Sequence, residues 1–165
     1  MSPENTPPTP DRGMAMLDPV TVEITAPVDP DQAFALFSGD FGKWWPIASH
    51  SLSKEKCTGL EMRPGLGGKI IETAQGIAPV IWGEIEIWLP GEQLSFTWHP
   101  GWDAGDYTRI SVTFDQNRFG HCEIRLVHWE WENLGEIATP IRDSYVTGWP
   151  YVFGQCFANY LRKPA

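Results

Sequence analysis

Basic side chains are in short supply: 12 Lys and Arg stand against 21 Asp and Glu in 165 residues, a formal charge of −9. A surface that follows phosphates gains affinity with each paired cation, so this balance argues against nucleic acid and anionic membrane as partners. Cysteine is sparse too. Cys57, Cys122 and Cys156 are widely spaced, with no CxxC pair to hold a structural zinc or form a redox couple, and they read as buried free thiols. No stretch approaches the ~18 apolar residues of a membrane span, and the start lacks the basic and apolar pattern of a secretory signal; the cytoplasm is the expected location. Neither GxSxG, a P-loop nor GxGxxG occurs, so the common signposts of serine hydrolases and nucleotide binders are missing.

Proline and glycine, by contrast, are plentiful at 15 and 16. They fall between short apolar runs, as turn punctuation, and in the first segment. Residues 1 to 19 carry Pro3, Pro7, Pro8 and Pro10 among polar side chains, with little to bury, and are predicted to form a disordered leader; residues 20 to 163 then make one domain. Val20, Val22 and Ile24 alternate with Thr21, Glu23 and Thr25 at the period of a half-buried strand. Asp29-Pro30-Asp31-Gln32 supplies a cap, a first-turn proline and a reciprocal Gln for a short helix ending near Gly39. A further helical turn carries Phe41, Trp44 and Trp45 up to Pro46. Strands are expected at about 55–63, 69–73, 80–89, 94–98, 108–114 and 122–129. Pro-Gly and similar pairs separate them at hairpin intervals, which predicts an antiparallel meander.

The final segment changes period. Tyr145, Trp149, Val152, Phe153, Cys156 and Tyr160 form the stripe of an amphipathic helix that must cover the sheet. Proline is costly inside a helix, so Pro150 is expected to start the last helix, with Gly148 or Thr147 as cap and an earlier helical piece over about 136–146. Trp149 then sits on a bend. The predicted fold is α+β: a curved antiparallel sheet of six or seven strands, two short helices after strand one, and a long, bent C-terminal helix.

This element order resembles the START-like, or helix-grip, superfamily that includes the birch-pollen allergen. Lys43-Trp44-Trp45-Pro46, His50-Ser51, Gly67-Gly68-Lys69-Ile70, Trp82-Gly83-Glu84-Ile85, the run from Leu94 to Gly101, and Gly148-Trp149-Pro150-Tyr151 are similar to one bacterial branch, the SRPBCC-type homologues of the activator of the heat-shock chaperone ATPase. The likeness spans about 20–161. It implies a pocket between sheet and C-terminal helix, since members of the superfamily carry lipids, steroids, polyketides or aromatic metabolites and only some are enzymes. Fold alone does not fix function.

Nine tryptophans are a large aromatic load. Trp45, Trp98 and Trp149 are candidate pocket walls, with Phe153 one turn beyond Trp149 on the same stripe. His128 shares strand parity with Cys122, Ile124 and Leu126 and should face the concave side, as a hydrogen-bonded neutral imidazole or as a group that orients a ligand. His50 and His99 lie in loops beside the aromatic motifs, as rim residues or loop fasteners. The histidines lack metal-ligand spacing, so no metal and no cofactor is expected. Glu84 and Glu86 alternate with Ile85 and Ile87, placing the carboxylates, together with Trp82 and Trp88, on the solvated side, where Arg109 and Arg125 can pair with such glutamates.

The favoured function is binding of a small apolar, aromatic or lipid-like molecule, with no catalytic residue assigned. A cyclase or dehydratase using His128 as general base, and a chaperone-associated interaction domain, are the alternatives. A homodimer is compatible with the sequence; contact with a chaperone is compatible but no residue supports it.

Overall fold

The computed structural model describes residues 17–163. The expected leader lies outside the described residues as far as residue 16. Leu17 packs on the core, and the Asp18 carbonyl accepts from Arg142 Nε at 2.7 Å.

Strand β1 (Val20–Ala26) is followed by helices α1 (Pro30–Gly39), α2 (Phe41–Trp44) and α3 (Ile47–His50). Six further strands follow, β2 (Cys57–Met62), β3 (Lys69–Ala74), β4 (Ile77–Leu89), β5 (Gln93–Trp98), β6 (Thr108–Gln116) and β7 (Cys122–Trp129). All pair antiparallel in the order β1-β7-β6-β5-β4-β3-β2, so the meander is closed off by β1 returning beside β7. The sheet curves around the helices as a half-barrel. Asp29 caps α1 as its sequence indicated, accepting from Gln32 N at 2.8 Å.

One face of the sheet, with Leu94, Phe96, Trp98, Ile110, Val112, Phe114, Ile124 and Leu126, is buried under the C-terminal helix and α1. The other is polar. Lys69 pairs with Glu84 at 2.6 Å, Arg109 with Glu86 and Glu130 at 2.8 Å each, and Arg125 with Glu23 at 3.4 Å. No helix among the described residues is long and apolar enough to cross a membrane.

Two expectations fail for definable reasons. Strand β4 slips register against β3 beside Trp82 and against β5 between Ile85 and Ile87. Each bulge reverses the alternation, so Trp82 and Ile85 are buried and Trp88 packs edge-on against Phe34 at 4.9 Å, all opposite to the glutamates. Gly83 is what lets β5 approach this irregular stretch, because an added Cβ would lie 1.8 Å from the Thr97 carbonyl oxygen.

The second concerns Pro150. It does not begin a helix: α4 (Ala138–Tyr151) runs through it, a π turn follows over Val152–Phe157, and α5 (Ala158–Leu161) completes the segment. The ring forfeits one hydrogen bond, to the carbonyl of Val146. Val146 is 46% exposed, so water can replace the missing donor. The π turn then advances the buried face by one position, leaving Cys156 and Tyr160 half-buried and bringing Phe157, Ala158 and Leu161 inward.

Candidate functional site

Four tryptophans from four elements meet under α4. Trp45 ends α2, where Pro46 forces the preceding residue out of helical conformation (ψ 132°) and turns the chain across the sheet. Trp82 comes from the bulge of β4, Trp98 from the end of β5 and Trp149 from α4. All four are at most 7% exposed. Trp45 lies 5.4 Å from Trp82, 5.9 Å from Trp98 and 5.8 Å from Trp149, and Trp82 and Trp98 meet edge to face at 5.4 Å. Above them is a cavity of about 450 Å³, bounded on one side by Ile141, Tyr145, Gly148 and Val152 of the helical segment, and on the other by residues 49–54 and the Pro100-Gly101-Trp102 turn.

Every indole N–H of the four is held by the protein. Trp45 donates to the His50 carbonyl at 2.9 Å, Trp82 to Glu72 at 3.1 Å, Trp98 to the Tyr145 hydroxyl at 2.9 Å and Trp149 to His128 Nδ1 at 3.0 Å. The last bond fixes a chain. An indole can only donate, so Nδ1 of His128 accepts and Nε2 carries the proton. That proton goes to Thr108 Oγ1 at 2.7 Å, whose hydroxyl donates to the Trp98 carbonyl at 3.2 Å. His128 is wholly buried, and burial holds its pKa well below the ordinary value, so the imidazole is neutral.

The wall formed by residues 51–54 is fastened by Glu72 of β3, which is 2% exposed. Its carboxylate accepts from Leu52 N at 3.0 Å, Ser53 N at 2.7 Å and the Ser53 hydroxyl, as well as from Trp82. Burial alone would raise its pKa, but the hydrogen bonds from Ser53, Leu52 and Trp82 together outweigh it and keep the carboxyl below its usual value. At the mouth, His50 Nδ1 meets Ser49 Oγ at 2.7 Å, and the His50 ring lies 5.5 Å from that of Tyr151. Partial burial, then the charge of Lys54, lowers the His50 pKa. Burial pushes the Tyr145 phenol up to about 12 despite its bond from Trp98.

Residues 27–162 match the sequence profile of the family described as activator of Hsp90 ATPase homolog 1-like protein. The chain belongs to that family. The fold is shared with an anthrahydroquino-gamma-pyrone synthase, Txn09, solved in complex with SUM, at 26% identity and a TM-score of 0.61 over 87% of this chain and 97% of that one. A protein of Mesorhizobium loti, MLL2253, superposes with a TM-score of 0.63 at 16% identity, over 89% and 99% of the two chains. Ara h 8.0201 does so with 0.59 at 14%, over 87% and 97%. These last two likenesses concern the fold. No significant match to a curated protein was found.

Within this family fold, Trp45, His50, Trp98 and Trp149 border the cavity. Three other sequence candidates lie elsewhere. His128 is on the concave face as its parity indicated, but it stands behind Trp149 with both ring nitrogens engaged. Phe153 is fully buried among Phe37 and Phe157. His99 borders a depression on the opposite, polar face, beside Glu84, Glu86 and Thr97. Sequence reasoning missed Trp82 and Glu72. The bulge hid Trp82. Glu72 had a signal: it shares strand parity with Ile70, which is fully buried, so it points to the concave face.

Proposed function

We propose that the chain binds a flat, mainly apolar small molecule, aromatic or lipid-like, in the cavity between α4 and the 49–54 wall. The observation that carries this reading is a cavity of about 450 Å³ walled by indole rings whose N–H groups are already engaged. Such walls offer π faces and apolar edges, and they hold their shape without a ligand, which reduces the ordering cost of binding. The 26% identity to a synthase of a polycyclic aromatic product supports the same ligand class. Catalysis by His128 is not part of this reading, since its neutral ring is behind Trp149 and has no nitrogen left for a substrate proton.

Gly148 provides the test. It borders the cavity, and a Cβ built on it meets nothing within 4 Å. Gly148→Leu should therefore fill the cavity while favouring the helix. The expected outcome is a folded protein whose affinity for the neutral dye Nile red drops about tenfold or more, because the ligand's volume is taken. Unchanged affinity would place the dye elsewhere and defeat the proposal. Native mass spectrometry of protein from its own host, before and after the substitution, would then reveal whether a co-purifying molecule leaves with the cavity.

A further inference from the structure

We infer that the ligand is an aromatic molecule bearing an anionic oxygen group, its rings among the tryptophans and its carboxylate or comparable acid at the mouth against Lys54. This rests on the cavity being a binding site, as proposed above, and specifies the chemistry of what enters it.

The polar groups of the cavity are unevenly divided between donors and acceptors. Lys54 is the one Lys, Arg, Asp or Glu among the lining residues, in a chain whose formal charge is −9. Its ammonium uses one of three hydrogens on the Ser49 carbonyl at 2.8 Å. Ser51 is 4% exposed; its Oγ accepts from Lys54 N at 2.8 Å, and its hydroxyl hydrogen has no acceptor among the described residues. Tyr145 repeats this arrangement, its oxygen taken by Trp98 and its hydrogen without an acceptor among the described residues. The nearby carboxylate, Glu72, is closed off by Leu52, Ser53 and Trp82. Ser49 and His50 Nδ1 engage each other and the Ser144 hydroxyl donates to the Ile141 carbonyl, so a ligand meets one cation, two hydroxyl donors and the remaining His50 ring nitrogen, and a buried donor calls for an oxygen on its partner.

Backbone geometry adds an independent observation. Lys54 has φ 53°, in the left-handed region that favours glycine, and it lies at the cavity wall. Side chains other than glycine hold this conformation at a cost, and such residues gather at functional sites. The arrangement keeps a lysine where glycine would be relaxed. The rival is an aromatic cage for a cation, which indole faces alone would suit. Lys54 at the mouth disfavours it, because a bound cation would face a like charge.

Three naphthalene probes of one ring size separate these cases: 2-naphthoate, 2-naphthamide and 2-naphthyltrimethylammonium, titrated by calorimetry and by tryptophan quenching. The carboxylate should bind about tenfold more tightly than the amide, as expected for one charge-assisted hydrogen bond, with the ammonium weakest. Lys54→Met should bring naphthoate to the level of the amide and leave the amide within about twofold, since the rings are untouched. Lys54→Gly should lose the same preference with a melting temperature at or above the parent's, which excludes unfolding as the cause. If the amide or the ammonium matches or exceeds naphthoate in the parent, the anionic assignment is wrong and the cavity reading stands. If no probe binds in a way that Gly148→Leu abolishes, the cavity reading fails and takes this inference with it.

Discussion

The two ends of the space between sheet and C-terminal helix are both built of aromatic rings, yet one is closed and the other open. At the closed end Phe37 is ringed by Phe41, Trp44, Phe114, Phe153 and Phe157 at centroid distances of 5.1–6.4 Å. At the open end Trp45, Trp82, Trp98 and Trp149 stand at similar spacings, 5.4–6.0 Å, around a cavity. Ring spacing therefore does not distinguish them. Hydrogen bonds do: the five phenylalanines of the closed end have no polar atom to fix them and settle wherever contact is greatest, Trp44 alone there being anchored, to the Phe37 carbonyl at 3.0 Å, whereas each indole of the open end is anchored by its nitrogen to an acceptor set in the frame. Anchored rings can border a void without collapsing into it. A hollow in a protein needs fasteners as well as walls.

The largest effect that would test this contrast is Phe37→Ala, expected to cost about 4–5 kcal/mol because the ring is enclosed on every side. Trp149→Ala should cost less, about 3 kcal/mol, since one side of its ring faces the cavity and already lacks partner atoms. Chemical denaturation of both variants decides it, and equal losses would break the distinction. His128→Phe comes next. It leaves the Trp149 N–H without an acceptor and the Thr108 oxygen without its donor, so stability should drop by about 1–3 kcal/mol while dye affinity stays within twofold, the ring being outside the cavity.

His128 also gives the contrast a pH dependence. Its pKa is lowered in the folded state, so the unfolded chain binds the proton more readily, and stability is full above the ordinary histidine value of about 6.5 and declines as pH falls below it. Melting temperatures between pH 7.5 and pH 5 should fall more steeply in the parent than in His128→Phe; parallel curves would mean that the imidazole is not held neutral. The smallest effect belongs to Leu52, 46% exposed at the cavity edge. Leu52→Ala should change stability by no more than about 0.5 kcal/mol, and a larger loss in thermal melting would show the edge to be part of the core.

Much of this frame was legible in the sequence because local signals and global packing agree there. Strands β1 and β7 and the cap of α1 follow directly from alternation and from Asp29-Pro30. The family resemblance carried the pocket between sheet and helix. Three of the four cavity tryptophans were named as pocket walls from the sequence: Trp98 by its parity with Leu94 and Phe96, Trp45 by the break before Pro46, and Trp149 by a bend that the structure replaces with helix continuing through Pro150. Trp82 was not, because parity holds only while a strand keeps register, and a bulge leaves no mark in residue types except Gly83 beside it. The same loss of phase replaced Cys156 by Phe157 in the helical stripe. His128 was placed on the correct face, but its partners come from β6 and α4, and no local pattern could have matched one nitrogen to Trp149 and the other to Thr108. His99 shows the limit of motif proximity: one residue beyond Trp98, it lies on the other side of the sheet.

The π turn at Val152–Phe157 has a consequence for length variation in this protein. A turn closed by bonds five residues apart accommodates one residue more than an α-helical turn, so the segment behaves as though a single insertion had been absorbed between two fixed flanks. Excising one residue there, Gln155 for example, would let the turn close as ordinary α-helix with both flanks kept in place, whereas excising one beyond it would rotate everything after by about 100°. With the turn itself shortened, Phe157 and Leu161 would stay at the closed end and the Tyr160 hydroxyl would keep its 2.7 Å bond to Asp40; with a residue lost after it, they would leave together. Sequence alignments that place a gap at this turn would thus join relatives whose last helical stretch packs in the same phase, whereas a gap after it would mark a change of phase that substitution counts alone would not reveal.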